Sequence, residues 1–252
     1  MSSLFSTIKS QKIMPKKSMG QNFLIDENIV NKIIKTANID KNDIVVEIGP
    51  GTGSLTEKLA MCSKKVIAIE KDEKLASNLK IKNVHVITGD ALQEIKTIKG
   101  KYKVVSNIPY YLTSFLIRTL LEAENKPEEI VLLIQKEVAK RICSKENSIL
   151  SLSVNYYAKP EIIDYVSKNC FYPKPKVDSA IIKIIPNKRK RNDDLFKLIK
   201  IGFSHPRKQL ANNLKGIGEF LKSTGLGEKA RAQELDINDW ISLQSFIQRK
   251  KG

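Results

Sequence analysis

Residues Ile44 to Leu55 read Ile-Val-Val-Glu-Ile-Gly-Pro-Gly-Thr-Gly-Ser-Leu and limit the possible folds of this chain more than any other stretch. The stretch begins as an apolar, β-branched run without polar alternation, which is typical of a strand buried on both faces of a parallel α/β sheet. Three alternating glycines follow, Gly49, Gly51 and Gly53, and glycine lets the backbone turn sharply and approach a ligand closely. The stretch therefore predicts a central strand, a ligand-binding loop and the start of a helix.

The spacing of these glycines distinguishes between classes of ligand. Gly-x-Gly-x-Gly differs from the Gly-x-Gly-x-x-Gly pattern that places a dinucleotide pyrophosphate at a helix N-terminus, which argues against a nicotinamide or flavin cofactor. Glu47 lies inside the apolar strand, where a carboxylate needs hydrogen-bond donors or a cation. Two interpretations stay open: Glu47 either accepts from the amides of the glycine loop or contacts the ligand directly.

Three further predicted strands also end close to a polar residue. They are 66–69 with Glu70, 84–87 with Asp90, and 103–106 with Asn107. Open α/β sheets bind ligands at the carboxyl ends of their strands, and an acid about 20 residues after the first loop is placed to hold ribose hydroxyls. The sequence therefore predicts a site at this edge of the sheet, with Glu70 on a ribose.

Several motifs follow one another in a fixed order from about Lys16 to the C-terminus. They are Gly20–Leu24, Gly49–Gly53, Glu70, Gly89–Ala91, Asn107–Tyr110 and Phe171–Ser179. In this order they resemble the ribosomal RNA adenine dimethyltransferase family, most closely its small-subunit rRNA branch. The resemblance implies S-adenosyl-L-methionine as the cofactor, with Asn22 and Leu24 against it.

The alternation of strands and helices between residues 44 and 134 predicts a doubly wound sheet with right-handed crossovers. Residues 150–154, 162–166 and 180–185 read as strands without helices between them, and the resemblance implies that they complete the sheet with an antiparallel hairpin. The expected fold is an α/β, Rossmann-like methyltransferase sheet with a small all-helical C-terminal domain. The predicted divisions are a flexible basic tail (1–17), the methyltransferase domain (18–186) and the helical, RNA-contacting domain (187–252).

The charge balance indicates a polyanionic partner. The chain holds 44 Lys and Arg against 27 Asp and Glu, a net charge of +17, which makes nucleic acid the first candidate and a membrane surface the second. No apolar run is long enough to span a membrane, so no transmembrane helix is expected. The three cysteines are widely spaced and the two histidines are isolated, which predicts neither disulfides nor a metal site. The pattern of cysteines favours a reducing, cytoplasmic location.

Two basic regions have competing interpretations. The acid-free, Ser-rich residues 1–17 partly resemble an organelle transit peptide, but the absence of Arg favours a plain flexible tail. The second region is either solvated or an RNA-facing surface, and the number of its cations favours RNA. Its residues are Lys188, Arg189, Lys190, Arg191, Arg207 and Lys208. The resembling family usually carries more basic residues where His205 and Pro206 stand, which weakens the case for some phosphate contacts.

Methyl transfer to an adenine amine depends mainly on alignment. The amine is a poor nucleophile because its lone pair is delocalised into the ring. Hydrogen-bond acceptors for its two hydrogens therefore favour the pyramidal nitrogen of the transition state. Asn107 offers an amide oxygen, and the backbone carbonyl of Pro109, or of Ile108, offers the second acceptor. Tyr110 offers a stacking face for the target base, and Phe171 either clamps the opposite face or anchors its loop in the core.

The expected reaction is methyl transfer to adenine amines of small-subunit rRNA, and the resemblance implies dimethylation of two adjacent adenosines in a hairpin loop near the 3′ end of that RNA. The expected partner is small ribosomal subunit rRNA, and the enzyme is expected to act as a monomer. Two alternatives remain. One is a large-subunit rRNA adenine methyltransferase of the macrolide-resistance type, and the other is a non-catalytic rRNA-binding assembly or transcription factor on the same fold.

Overall fold

The structure, a computed structural model, describes residues 15–16, 19–144 and 147–251. Apart from residues 15 and 16, the predicted N-terminal tail lies outside the described residues. The chain divides into two compact units: residues 1–140 with 159–186 form the first, and residues 141–158 with 187–252 form the second.

A seven-stranded sheet forms the centre of the first unit, in the order β4-β3-β2-β5-β6-β9-β7. Neighbours from β4 to β6 are parallel, whereas β9 is antiparallel to β6. The short strands β1 and β8 pair separately and antiparallel. The strands are β1 Phe23–Leu24, β2 Ile44–Ile48, β3 Lys65–Glu70, β4 Val84–Thr88, β5 Lys103–Asn107, β6 Glu129–Gln135, β7 Ala158–Val166, β8 Phe171–Tyr172 and β9 Ser179–Pro186.

Helices precede, connect and follow the parallel strands of this unit. They are α1 Glu27–Ala37, α2 Ser54–Cys62, α3 Glu73–Asn78, α4 Ala91–Glu94, α5 Thr113–Glu122 and α6 Lys136–Ile142, whose last residues belong to the second unit. Val45, Val46, Val104 and Val105 of the central strands are fully buried. The predicted α/β sheet with strands buried on both faces is thus confirmed.

The second unit is helical in its described residues. It contains α7 Ile149–Tyr157, α8 Asp193–Gly202, α9 Leu210–Asn213, α10 Gly218–Ser223 and α11 Ile237–Lys251. Trp240 of α11 is fully buried, and a Cβ on Gly202 would lie 2.2 Å from its ring, so the absence of a side chain at Gly202 permits this packing. No helix in the described part of the chain has both the length and the apolar character needed to cross a membrane.

The strand predicted at 150–154 is wrong, because these residues lie inside α7. Ser148 Oγ accepts from Ser151 N (3.1 Å), and Ser151 Oγ accepts from Ser148 N (2.7 Å). This reciprocal cap satisfies amides that a helix start would otherwise leave unpaired. The alternation of Leu150, Leu152 and Val154 imitates a strand. As a result, residues 141–158 fall in the second unit and not in the methyltransferase domain that the sequence pattern predicts for them.

Candidate active site

A cavity of about 350 Å³ lies at the carboxyl ends of the central strands of the first unit. Most of the predicted site residues line it. These are Asn22, Leu24, Glu47, Gly49, Gly51, Glu70, Asp90, Asn107, Pro109 and Tyr110. Gly53 and Phe171 are not among the residues that line it. The parallel sheet therefore brings together motifs that are as much as 88 positions apart, from Asn22 to Tyr110.

The glycine loop forms the floor of the cavity. Gly49, Gly51 and Gly53 all have positive φ angles of 66°, 59° and 83°, a conformation that other residues rarely adopt. A Cβ on Gly51 would also lie 3.0 Å from the ring of Phe23. Gly53 instead precedes α2 as its N-cap, where a Cβ would lie 2.8 Å from Leu79 Cδ2. Gly53 therefore shapes the helix start and does not form part of the cavity wall.

Glu70 holds the glycine loop in place. One carboxylate oxygen accepts from Gly51 N (3.1 Å) and the other from Asp72 N (2.9 Å). Burial raises the pKa of Glu70, while the backbone N–H donors act in the opposite direction. The hydrogen bond to the loop that the sequence suggested for Glu47 is thus made by Glu70.

Glu47 is the most unusual polar group in the cavity. It is 2% exposed, and its Oε2 has no hydrogen-bond partner among the described residues. The pKa of Glu47 is raised to about 8, and burial is the main cause. The Thr56 side chain acts in the opposite direction, and the charge of Glu70 adds to the rise. Because a buried oxygen without a donor is costly, this atom is suited to contact a ligand.

Asp90 and Lys71 form an ion pair at the cavity. Asp90 Oδ2 lies 3.0 Å from Lys71 Nζ, and Asp90 Oδ1 accepts from Leu92 N (3.0 Å) at the start of α4. The hydrogen bond from Lys71 is the main cause that lowers the pKa of Asp90. Lys71 was not among the predicted site residues, although its position directly after the strand-end acid Glu70 was a signal for it.

Asn107 is oriented by the N-terminal segment, residues 19–24. Its Nδ2 donates to the backbone carbonyl of Asn22 (3.1 Å), which itself lies in a turn closed by a bond from Asn22 Nδ2 to Gly20 O (3.1 Å). Because the amide nitrogen is engaged, Asn107 Oδ1 remains available as an acceptor. The sequence suggested Asn107 as an acceptor but gave no sign of what would orient it.

The residues after Asn107 form a rigid turn. The Pro109 carbonyl accepts from Leu112 N (3.0 Å) and keeps a second lone pair, so the Pro109 and Ile108 alternatives both stay open. The Tyr110 hydroxyl is 2.7 Å from the hydroxyl of Ser179, which is fully buried at the start of β9. Burial is the main cause that raises the pKa of Tyr110. The ring of Tyr110 is thereby fixed beside the cavity.

Phe171 occupies a different environment from the predicted clamp. It is 3% exposed, pairs with Leu24 between β1 and β8, and belongs to the hydrophobic core with Val30 and Ile33. Its position matches the alternative interpretation, an anchor for its loop. A ring buried in this way offers no free face to a base in the cavity.

The predicted RNA-contacting residues lie on the second unit and are all exposed. The guanidinium of Arg189 lies over the ring of Tyr156 (5.2 Å), and Arg191 pairs with Asp193 (2.6 Å). Arg207 and Lys208 form no ion pair with a described acid. This unit therefore presents at least two cations whose charge no described carboxylate neutralises.

Two solved structures with high similarity to this chain are named as transferases that act on adenosine or on rRNA. The dimethyladenosine transferase from Plasmodium falciparum is 31% identical, with a TM-score of 0.78 over 90% of this chain and 97% of that one. The 23S rRNA methyltransferase ErmE is 24% identical, with a TM-score of 0.74 over 90% and 100% of the two chains, and supports the fold alone. Fold and site thus define a Rossmann-like methyltransferase.

The sequence comparisons identify the family. The model of the family "Ribosomal RNA adenine dimethylase" matches residues 14–249. A ribosomal RNA small subunit methyltransferase A from Dehalococcoides mccartyi (strain CBDB1) is 39% identical over 90% of this chain and 87% of its own length. A protein of the same name from Mycoplasmopsis pulmonis (strain UAB CTIP) is 40% identical over 90% and 97%. The chain belongs to the ribosomal RNA adenine dimethylase family.

Proposed function

We propose that this enzyme uses S-adenosyl-L-methionine to dimethylate the exocyclic amines of two adjacent adenosines, in a hairpin loop near the 3′ end of small-subunit rRNA. The observation that carries the proposal is the hydrogen bond from Asn107 Nδ2 to the Asn22 carbonyl, which leaves Oδ1 as the free acceptor of a residue that lines the same cavity as Tyr110. The names of the relatives favour the small subunit over the large-subunit alternative. We infer a catalytic role because the cavity retains the residues that a non-catalytic factor would not need.

The residues of the cavity fit the proposed cofactor. Each oxygen of Glu70 accepts one amide proton and keeps acceptor capacity for a ribose hydroxyl. Glu47 Oε2 lacks a donor, which an ammonium or hydroxyl group of a ligand would supply. The floor at Gly51 carries no side chain, so a ligand can approach the backbone. When bound, S-adenosyl-L-methionine supplies an electrophilic methyl carbon on a sulfonium.

The protein contributes alignment to the reaction. Asn107 Oδ1 accepts one hydrogen of the target amine, and a backbone carbonyl of the following turn accepts the other. These two bonds strengthen as the nitrogen becomes pyramidal, so they favour the transition state over the ground state. Tyr110 stacks on the adenine. The methylated amine nitrogen releases its extra proton to water, so no general base is required. Asparagine also supplies this acceptor without adding a carboxylate to a cavity that already contains Glu47 and Glu70.

The direct test is the transfer of labelled methyl groups to small subunits from cells that lack the modification, followed by mapping of the labelled nucleotides. We expect two labelled methyl groups on each of two neighbouring adenosines, and no transfer to large subunits. Label on large-subunit RNA alone would favour the alternative enzyme. Cofactor binding without transfer to either subunit would contradict the proposed reaction.

The Glu70→Ala variant is expected to bind the cofactor about 10- to 100-fold more weakly, because a hydrogen bond to a charged acceptor is worth roughly 1.5 to 3 kcal/mol. Isothermal calorimetry measures the affinity, and thermal unfolding checks that the loss of the bonds to Gly51 and Asp72 has not unfolded the loop. Glu73→Ala, which removes an exposed acid three positions away, is the matched control. Unchanged affinity in a folded Glu70→Ala protein would contradict the ribose assignment.

The basic surface of the second unit has a separate test. Changing Arg207 and Lys208 to glutamine, and in a second variant residues 188–191, should weaken RNA binding at all salt concentrations. If these cations bind phosphates, the slope of log K against log[salt] should fall by about 0.7 to 0.9 for each phosphate that is no longer neutralised. Lys222→Gln is the control, since Lys222 is already paired with Glu228 (3.0 Å). A slope equal to the wild-type value would show that the cations are only solvated.

A further inference from the structure

Two aromatic side chains at the cavity are exposed to solvent. Tyr111 is 58% exposed and Phe115 is 66% exposed, and both belong to the cavity lining. Exposed rings next to a binding cavity are informative because large apolar side chains are usually buried unless they have a partner. The function proposed above uses neither of them.

The local structure shows that these rings are not required by the core. Tyr110–Leu112 form a 3₁₀ turn that runs directly into α5. Phe115 follows Tyr111 by four positions, about one helical turn, and both residues line the same cavity. The core contacts of α5 come from other residues, all buried. These are Thr113, Leu116, Ile117, Leu120 and Leu121.

The N-terminal segment supports the first of the two rings. A Cβ on Gly20 would lie 3.4 Å from Tyr111 Cδ1, so one side of the Tyr111 ring rests against the backbone at Gly20. Tyr111 is nevertheless 58% exposed, so much of its side chain is accessible at the cavity. Phe115 is a second exposed ring in the same cavity lining.

A cation lies beside the rings. Lys71 lines the same cavity, and its side chain is 59% exposed. The hydrogen bond to Asp90 is the main cause that raises the pKa of Lys71, and the nearby Tyr111 adds to the rise. Aromatic faces next to a lysine are the combination with which proteins bind single-stranded nucleic acid, because bases stack and phosphates pair with the cation.

We propose that Tyr111 and Phe115 form a platform that stacks the base next to the target adenosine while the target occupies the cavity. This inference rests on the proposed function, in which the two substrate adenosines are neighbours. When one adenine stacks on Tyr110 inside the cavity, the backbone of the RNA keeps the next base at its mouth. The platform follows Tyr110 directly in the chain, and Tyr110, both rings and Lys71 line the same cavity.

The test compares Tyr111→Ala, Phe115→Ala and the double variant in single-turnover methylation of unmodified small subunits at saturating cofactor. We expect the half-saturating RNA concentration to rise about tenfold for each single variant, in line with the energy of stacking one base on one ring. The Tyr111→Phe and Phe115→Tyr variants keep a ring and should retain wild-type behaviour. Cofactor affinity, measured by calorimetry, should not change.

Met61→Ala is the matched control, because Met61 is 68% exposed on the same unit and is not among the cavity-lining residues. Alanine variants with the wild-type RNA dependence would overturn the platform, and so would a loss of cofactor affinity, since the rings would then cover the cofactor. Fluorescence anisotropy with a labelled RNA hairpin measures binding without turnover. If the wild-type enzyme transfers no methyl, the proposed function fails; the hairpin-binding comparison still decides on the platform.

Discussion

Replacing Asn107 with alanine is expected to lower the single-turnover rate of methyl transfer by about 100-fold, with RNA affinity close to wild type. The reason is that the Asn107 amide oxygen is proposed to accept a bond that matters most when the amine nitrogen becomes pyramidal. The measurement uses unmodified small subunits and saturating cofactor, with RNA binding determined separately.

The Asn107→Asp variant tests the roles of the amide oxygen and the amide nitrogen separately. Aspartate keeps an acceptor but cannot donate to the Asn22 carbonyl, which Asn107 Nδ2 reaches at 3.1 Å. We therefore expect a rate between those of the wild-type and alanine enzymes. A wild-type rate for Asn107→Ala would show that this strand end does not hold the target amine.

Replacing Tyr110 with alanine should weaken productive RNA binding by about 10- to 100-fold, because base stacking on an aromatic ring is worth about 1 to 3 kcal/mol. Tyr110→Phe keeps the stacking face and should retain most of the activity. It should nevertheless lower thermal stability, because the fully buried hydroxyl of Ser179 loses its partner at 2.7 Å, at a cost of roughly 1 to 3 kcal/mol.

A double-mutant cycle with Ser179→Ala tests the stability effect. Because the double variant leaves neither hydroxyl, it should lose less stability than the sum of the two single variants. Thermal unfolding measures the stabilities, and methylation measures the activities. A Tyr110→Phe enzyme as inactive as Tyr110→Ala would assign the role to the hydroxyl and not to the ring.

The local sequence was sufficient to predict the features that depend on backbone conformation and burial. A β-branched run followed by glycines at positive φ can form little other than a buried strand and a tight loop, and Gly49, Gly51 and Gly53 adopt that conformation. The parallel order of the strands then brings Glu70, Asp90 and Asn107, with the turn that follows it, to the edge of the sheet where the strands end. The positions of these residues therefore follow from the pattern of the chain.

Partners distant in the chain could not be predicted in the same way. Three hydrogen bonds depend on how separate segments pack. They join Asn107 to the Asn22 carbonyl, Tyr110 to Ser179, and the glycine loop to Glu70 rather than to Glu47. A hydrogen bond requires a donor and an acceptor within about 3 Å, a precision that residue spacing does not supply.

Packing also decided two predictions that were made from local pattern. The alternating leucines of residues 150–154 are compatible with a strand, but the reciprocal Ser148–Ser151 cap starts a helix there. Phe171 reads equally well as a stacking ring or as a core anchor, and its pairing with Leu24 places it in the core. The identity of an apolar side chain does not indicate which residues it packs against. The chain pattern therefore places most of the predicted residues at the cavity, whereas the packing of distant segments decides their hydrogen-bond partners and moves Phe171 into the core.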